Sequence, residues 1–118
     1  MISLGVDIVE INRFGSALRR WPRLVERIFT EDEIATCLES SDADARLAAR
    51  FAAKEAMFKA LGNGWPNISY QDVAVVILPS GAPALQLRSA AAKLAKGRER
   101  AISIAHAGGL AIAEVALT

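Results

Sequence analysis

One long helix constrains what this chain can fold into. Residues 43–61 are dominated by strong helix formers, chiefly Ala, Leu, Lys, Glu and Met. Gly62 and Gly64 follow as helix stop signals. The large apolar residues recur at a spacing typical of the core-facing side of a helix. These residues are Leu47, Phe51, Phe58 and Leu61. We therefore predict a helix from about Ala43 to Leu61 that packs one apolar stripe against the rest of the domain.

Two charged residues border that stripe. At about 100° per residue, Glu55 lies beside Phe51 and Phe58, and Lys54 flanks the other side of the stripe. In one interpretation Glu55 and Lys59 form a surface pair, and Lys54 extends its ammonium into water. In the other, the charges belong to a functional site, because charged groups at the edge of a core are costly unless they have partners. The helix alone leaves both interpretations open.

The start of the chain predicts a strand. Apolar and small or polar residues alternate from Ile2 to Ile8, so we expect Leu4, Val6 and their apolar neighbours to face the core. Asp7 then points the other way, although Asp is disfavoured in strands. Asp7 either faces water or caps a nearby group, or it is a metal ligand on a rigid element. Gly5 would leave room for a ligand to approach.

Residues 13–27 carry an excess of positive charge. Five arginines are opposed by a single acidic residue, Glu26. The arginines are Arg13, Arg19, Arg20, Arg23 and Arg27. Asn12 is a candidate N-cap for this helical segment, and Pro22 is expected to break it. The segment is either a solvated face or a surface for an acidic protein or a phosphate-rich ligand.

The remaining elements complete an α+β domain that spans residues 1–118. Thr30 and Glu33 form a capping-box pattern at the start of a helix. Residues 71–78 and 84–87 are predicted strands, and residues 89–97 a short helix. The Gly108-Gly109 pair predicts a hairpin between residues 101–106 and 110–117. His106, the only histidine, lies at the mouth of that hairpin.

Composition excludes several classes of protein. A chain of 118 residues that is 53% hydrophobic is expected to form one folded domain. A net charge of +1 argues against nucleic acid as a partner. A single cysteine, Cys37, allows no internal disulfide, and we expect its thiol to be inert. No signal-peptide or membrane-span pattern is found, so the expected location is cytoplasmic, with no membrane partner.

The paired segments Val6–Glu10 and Arg50–Gly62 resemble those of the 4′-phosphopantetheinyl transferases, in particular the short holo-acyl-carrier-protein synthase type. Residues 26–33, the turn with Gly81 and Pro83, and residues 103–106 extend the resemblance over nearly the whole chain. The resemblance implies helices packed on a mostly antiparallel sheet. It also implies a homotrimer with active sites between subunits.

The resemblance further implies an activity. The 4′-phosphopantetheine group of coenzyme A would pass to a serine of an apo acyl carrier protein, for fatty acid or polyketide biosynthesis, with release of adenosine 3′,5′-bisphosphate. Asp7 and Glu55 would bind Mg²⁺, and the base that deprotonates the serine would be Glu55, Asp7 or a metal-bound water. Asp7, Glu55 and Lys59 are the implied catalytic residues. The implied coenzyme A ligands are Arg50, Lys54, Lys59, Gly62, Gly64 and His106. The implied carrier-protein surface consists of Arg13, Arg20, Arg23 and Arg27.

Several positions depart from the family pattern. The loop of residues 63–66 is bulkier than the family's common Thr-Gly sequence. Alanines stand at Ala105 and Ala107, on either side of His106, and at Ala82 in the turn before Pro83. These departures motivate an alternative hypothesis, that the chain is a weak or inactive module that binds a carrier protein or coenzyme A. A third hypothesis is a basic-faced protein-interaction domain without a nucleotide ligand.

Overall fold

The computed structural model describes residues 1–62 and 68–118 and has an α+β fold. The first half contains one strand and four helices: β1 (Ser3–Glu10), α1 (Ile11–Arg20), α2 (Arg23–Ile28), α3 (Glu31–Leu38) and α4 (Ala43–Leu61). The second half contains a 3₁₀ turn (Tyr70–Asp72), β2 (Val73–Ile77), β3 (Pro83–Leu87), α5 (Ser89–Leu94), β4 (Arg100–Ala107) and β5 (Leu110–Leu117). Among these residues the strands form an antiparallel sheet of order β1-β5-β4 and an antiparallel β2-β3 hairpin.

Helix α4 packs closely on the three-stranded sheet because both surfaces are lined by small residues. Ala52, Ala53 and Ala56 on the helix are completely buried. Opposite them, Gly5 of β1 faces the helix, and a Cβ atom added at this position would lie 1.8 Å from the carbonyl oxygen of Ala56. Only glycine permits this approach, so Gly5 sets the distance between β1 and α4.

The prediction for the two faces of β1 is wrong. Gly5 and Val9 are buried against α4, whereas Leu4, Val6 and Ile8 are 63%, 52% and 60% exposed. The sequence pattern indicated that side chains alternate between two faces, but not which face meets the core. Because α4 approaches β1 closely, the face with the smaller residues packs against the helix. The larger side chains therefore form an exposed apolar surface, here called the outer sheet face. It comprises Leu4, Val6 and Ile8 of β1 with Leu110 and Ile112 of β5.

Most other boundaries agree with the sequence prediction. Helix α4 has the predicted limits, Pro22 separates α1 from α2, and the β4-β5 hairpin turns at Gly108 and Gly109. Three predictions are wrong. The helix predicted over residues 89–97 ends at Leu94. Helix α1 begins at Ile11 with Glu10 at its N-cap, so Asn12 is not the cap. The strand predicted from residue 71 begins at Val73, after the 3₁₀ turn.

Two further expectations concerned the reactivity of Cys37 and the presence of a membrane-spanning helix. Cys37 is buried, and burial raises the pKa of its thiol, as expected for an inert cysteine. In the ranges that the structure describes, no helix is long and apolar enough to cross a bilayer.

Candidate active site

Asp7 and Glu55 come together at one open pocket of about 600 Å³. Asp7 lies on the helix-facing side of β1, and Glu55 lies on α4. Phe14 and Phe51, whose rings stack with centroids 4.8 Å apart, form part of the apolar wall. Arg13 of α1 lines the same pocket. The structure thus brings together the two carboxylates that were predicted from segments almost fifty residues apart in sequence.

Lys59 fixes one side of this arrangement. Its Nζ donates to the backbone oxygen of Val6 at 2.9 Å and to Oδ1 of Asp7 at 3.2 Å. The surface pair between Glu55 and Lys59, one of the two interpretations of this helix, is not formed, because the lysine binds the strand instead. Lys59 therefore ties α4 to β1 and partly neutralises the Asp7 carboxylate.

Tyr70 fixes the other side, although the sequence analysis did not single it out. Its hydroxyl donates to Oε1 of Glu55 at 2.6 Å. Burial and then this carboxylate raise the pKa of Tyr70, so the phenol remains a proton donor at neutral pH. Tyr70 follows Glu55 by fifteen residues, across residues 63–67, and no local sequence pattern links the two.

The donor set fits Mg²⁺. Each carboxylate has one oxygen engaged by Lys59 or Tyr70. Within residues 1–62 and 68–118, no hydrogen bond is made to Oδ2 of Asp7 or Oε2 of Glu55. The same ranges contain no cluster of three or more His, Cys, Asp or Glu side chains suited to a metal. Two carboxylates that leave the other positions to water and phosphate oxygens match the preference of Mg²⁺ over metals that need a full protein cage.

Lys54 is not available to a ligand. Its side chain is fully buried, and Nζ donates to Oε1 of Glu33 at 2.7 Å and to two backbone oxygens. These are the oxygens of Val73, at 2.7 Å, and Tyr70, at 3.0 Å. All three ammonium hydrogens are used, so the structure corrects the prediction that Lys54 binds a coenzyme A phosphate.

Glu33, the ion-pair partner of Lys54, is also the residue predicted to complete the capping box at the start of α3. Glu33 Oε1 accepts from the backbone N–H of Thr30 at 3.0 Å, which confirms the capping box. Its Oε2 accepts from the N–H of Val75 at 2.9 Å. Burial lowers the pKa of Lys54 and the Glu33 carboxylate opposes that shift. The buried pair therefore joins α3, α4 and β2.

Arg50 lies one helical turn before Lys54 and lines a cavity other than the Asp7–Glu55 pocket. It is 5% exposed and its Nε has no hydrogen-bond partner in the part of the chain that the structure describes. The cavity of about 250 Å³ that it lines is also bordered by Arg88 and two threonines, and by the acidic Asp32 and Glu33. This cavity shares no residue with the Asp7–Glu55 pocket. A single chain therefore keeps Arg50 apart from the two carboxylates.

The remaining predicted coenzyme A residues are also dispersed. His106 is exposed on β4, opposite Ala111 of β5, so it lies two strands, or about 10 Å, across the sheet from β1. Gly62 ends α4 with a φ of 99°, a value that favours glycine. Gly64 lies outside the described residues.

The predicted carrier-protein surface adjoins the carboxylate pocket through Arg13. A neighbouring pocket is lined by Arg13, Arg20 and Trp21, and the Arg20 guanidinium lies 5.3 Å from the centre of the Trp21 ring. Arg23 and Arg27 are exposed on α2. In the described ranges, Arg19 pairs with Asp44 at 2.9 Å, whereas these other four arginines form no ion pair.

Replacement of Lys54 by Met should destabilise the fold. The variant leaves Glu33 buried without its ammonium partner and removes the donor to two backbone oxygens, so we expect a loss of about 3–5 kcal/mol in unfolding free energy. Urea denaturation at neutral pH measures this loss. Lys96→Met, at an exposed lysine, is the control and should change stability by less than about 0.5 kcal/mol. A Lys54→Met protein as stable as the control would contradict the structural role.

Comparison with known proteins places the chain in a family. The model of the 4′-phosphopantetheinyl transferase superfamily matches residues 3–113. A holo-[acyl-carrier-protein] synthase of Moorella thermoacetica is 41% identical over 116 residues, which cover 96% of this chain and 91% of that protein. One of Pseudoalteromonas atlantica is 46% identical over 121 residues, with 99% and 96% covered.

Solved structures agree with this assignment. A holo-[acyl-carrier-protein] synthase of Neisseria meningitidis superposes with a TM-score of 0.90 at 27% identity, covering 100% of this chain and 99% of that chain. The Helicobacter pylori enzyme in complex with coenzyme A gives a TM-score of 0.84 at 30% identity, covering 98% and 99%. The predicted family and fold are confirmed: the chain belongs to the 4′-phosphopantetheinyl transferase superfamily.

Proposed function

We propose that this protein is a holo-[acyl-carrier-protein] synthase that transfers 4′-phosphopantetheine from coenzyme A to a serine of an apo acyl carrier protein. The observation that carries this proposal is the convergence of Asp7 and Glu55 on one pocket that Arg13 also lines. The related Helicobacter pylori structure contains coenzyme A, which supports the same co-substrate here. The product would serve fatty acid or polyketide biosynthesis.

Asp7 and Glu55 are the proposed ligands of Mg²⁺, which when bound supplies positive charge to the phosphate oxygens of coenzyme A. The serine hydroxyl attacks the β-phosphate, its proton passes to a base, and adenosine 3′,5′-bisphosphate leaves. Within this chain the carboxylates of Glu55 and Asp7 are the candidate bases. Lys59 holds Asp7 against α4. Among the described residues, the Lys59 ammonium donates two of its three hydrogens, to Val6 and to Asp7. The third has no acceptor in the described part of the chain, and we propose that a phosphate oxygen accepts from it.

Arg50 is the proposed phosphate ligand with the clearest physical support. Its buried Nε has no partner among residues 1–62 and 68–118, and a buried guanidinium donor without a partner is costly in the absence of an anion. Gly62, Gly64 and His106 are proposed to lie along the same coenzyme A molecule, on the basis of the family resemblance. Because Arg50 and His106 lie away from the Asp7–Glu55 pocket, we propose that complete sites form between subunits.

The outer sheet face supports a homotrimer. Leu4, Val6 and Ile8 are more than half exposed in one chain, and Ile112 of β5 lies directly opposite Ile8. Glu114 lies opposite Val6 and interrupts this apolar face. Grouped exposed apolar side chains of this kind are typical of a surface that is covered by a partner. We propose that three copies of the chain bury this face, which would also bring residues of neighbouring chains together.

The four unpaired arginines are proposed to bind the carrier protein. Arg13, Arg20, Arg23 and Arg27 present positive charge without an acidic partner of their own in the described ranges. Such a surface attracts an acidic protein and orients it during encounter. Arg13 also lines the carboxylate pocket, so a carrier docked here presents its serine close to Asp7 and Glu55.

Mass spectrometry tests the transferase directly. An apo carrier protein incubated with this protein, coenzyme A and Mg²⁺ should gain the mass of phosphopantetheine, and EDTA should abolish the gain. Asp7→Asn and Glu55→Gln should each lower the rate by at least about 100-fold. Glu99→Gln is the matched control, because Glu99 is exposed and distant in sequence from the site elements. Coenzyme A binding without any transfer to several carriers would favour the inactive binding module instead.

Charge reversal tests the carrier surface. The double variant Arg20→Glu, Arg23→Glu should raise the KM for the carrier by at least about tenfold and weaken its salt dependence, because attraction becomes repulsion. The KM for coenzyme A should stay unchanged. Lys93→Glu, Lys96→Glu changes the net charge equally at exposed lysines around the end of α5 and serves as the control. An equal rise in the KM for coenzyme A would show that the arginines do not form a separate carrier surface.

Sedimentation equilibrium tests the trimer. The natural protein should have three times the mass of one chain, and Leu4→Lys should dissociate it because a lysine would be placed inside an apolar interface. Leu38→Lys is the matched control, since Leu38 is 65% exposed, compared with 63% for Leu4, but lies on α3. A monomeric natural protein, or a trimeric Leu4→Lys variant, would contradict the proposed interface.

A further inference from the structure

Glu55 has a flexible side chain and one well-defined partner. A glutamate on a helix has several rotatable bonds, and a metal ligand must be held in one orientation. The pairing with Lys59 that would hold Glu55 along the helix is absent, because Lys59 binds Val6 and Asp7. In the portions of the chain that the structure describes, the hydrogen bond to Glu55 comes from the Tyr70 hydroxyl, at 2.6 Å from Oε1.

Tyr70 is itself held at its ring. The ring packs between Phe51 and Phe58, with centroid distances of 5.6 and 5.2 Å. These are the two aromatic residues of α4, and they flank Glu55 in the predicted stripe. The ring therefore occupies a fixed position beside the helix, and the hydroxyl at its tip has little freedom to leave Oε1.

Tyr70 is also held at its backbone. It begins the 3₁₀ turn, which has reciprocal capping hydrogen bonds between Ser69 and Asp72. Its carbonyl oxygen accepts from Nζ of the buried Lys54 at 3.0 Å. Since Lys54 is bound to Glu33, a continuous series of contacts runs from the core ion pair through Tyr70 to the site carboxylate.

We propose that Tyr70 is a positioning residue that fixes one oxygen of Glu55, so that the second oxygen is left in place for the metal ion. This inference rests on the proposed role of Glu55 as a magnesium ligand. Tyr70 itself does not touch the reacting atoms. It acts as a hydrogen-bonded partner outside the ligand set, and loss of such a partner typically weakens metal affinity or activity by about 10–100-fold.

Tyr70→Phe tests the inference because it removes the hydroxyl and keeps the ring. Mn²⁺ serves as the probe in place of Mg²⁺, and its binding to the full-length protein with coenzyme A, in the absence of carrier, is measured by electron paramagnetic resonance. We expect Tyr70→Phe to weaken Mn²⁺ binding by at least about tenfold. The metal concentration for half-maximal transfer should rise by a similar factor, while the KM for the carrier stays unchanged.

Two comparisons separate positioning from a general structural effect. Ser3→Ala also removes a single hydroxyl, one that accepts from Nη2 of Arg98 at 2.8 Å near the start of β1, and should leave Mn²⁺ affinity unchanged. In a Glu55→Ala background, Tyr70→Phe should have no further effect on Mn²⁺ binding, because its target is absent. An additional loss in that background would overturn the inference.

Failure of the inference is distinct from failure of the proposed function. If the natural protein transfers phosphopantetheine with Mg²⁺ and Tyr70→Phe binds Mn²⁺ equally well, Tyr70 does not position Glu55, and the transferase assignment stands. If the natural protein neither binds Mn²⁺ nor transfers the group, the proposed metal site is wrong and the inference about Tyr70 is overturned with it.

Discussion

The buried ion pair between Lys54 and Glu33 is the interaction on which the rest of the structure depends. Two charges in a protein interior are tolerated only when their remaining hydrogen-bonding groups are satisfied. Here Lys54 uses all three hydrogens and Glu33 also accepts from two backbone N–H groups. The pair thereby fixes the start of α3, the middle of α4 and the start of β2. It also fixes the backbone of Tyr70, which contacts Glu55, so a residue without access to ligand still affects the geometry of the site.

A second constraint, the contact between Gly5 and Ala56, links the site to the outer sheet face. Close approach of β1 to α4 turns Asp7 toward the helix, where Lys59 binds it and where Glu55 lines the same pocket. The same alternation necessarily turns Leu4, Val6 and Ile8 outward. The position of the Asp7 carboxylate and the exposure of an apolar face are therefore consequences of one packing contact. A chain that builds this site from β1 also acquires a surface that favours association.

The sequence predicted those features that are local. The limits of α4, the capping box of Thr30 and Glu33, and the hairpin at Gly108 all follow from short-range chemistry and were confirmed. The convergence of Asp7 and Glu55 was inferred from the family resemblance. The orientation of β1 was wrong because a period of two residues indicates alternation and not which side meets the core. The partner of Lys54 is 21 residues away, and Tyr70 reaches Glu55 through tertiary packing, so neither contact has a local signature.

Arg50 and Lys54 show why charge and burial alone do not identify a ligand-binding cation. They lie one turn apart on α4, and both are at least nine-tenths buried. Lys54 has an acceptor for each of its hydrogens, so an incoming phosphate would have to break the core ion pair to reach it. The Nε of Arg50 has no partner in the described ranges, and its cavity contains the hydroxyl-bearing Thr30 and Thr36 and a second arginine, Arg88. Asp32 and Glu33 also line this cavity and would oppose an anion, but an anion there would satisfy the buried Nε of Arg50 and, within the described ranges, would break no ion pair of that arginine. The partners of each cation, which only the three-dimensional structure reveals, therefore favour Arg50 over Lys54 as the residue that meets a coenzyme A phosphate.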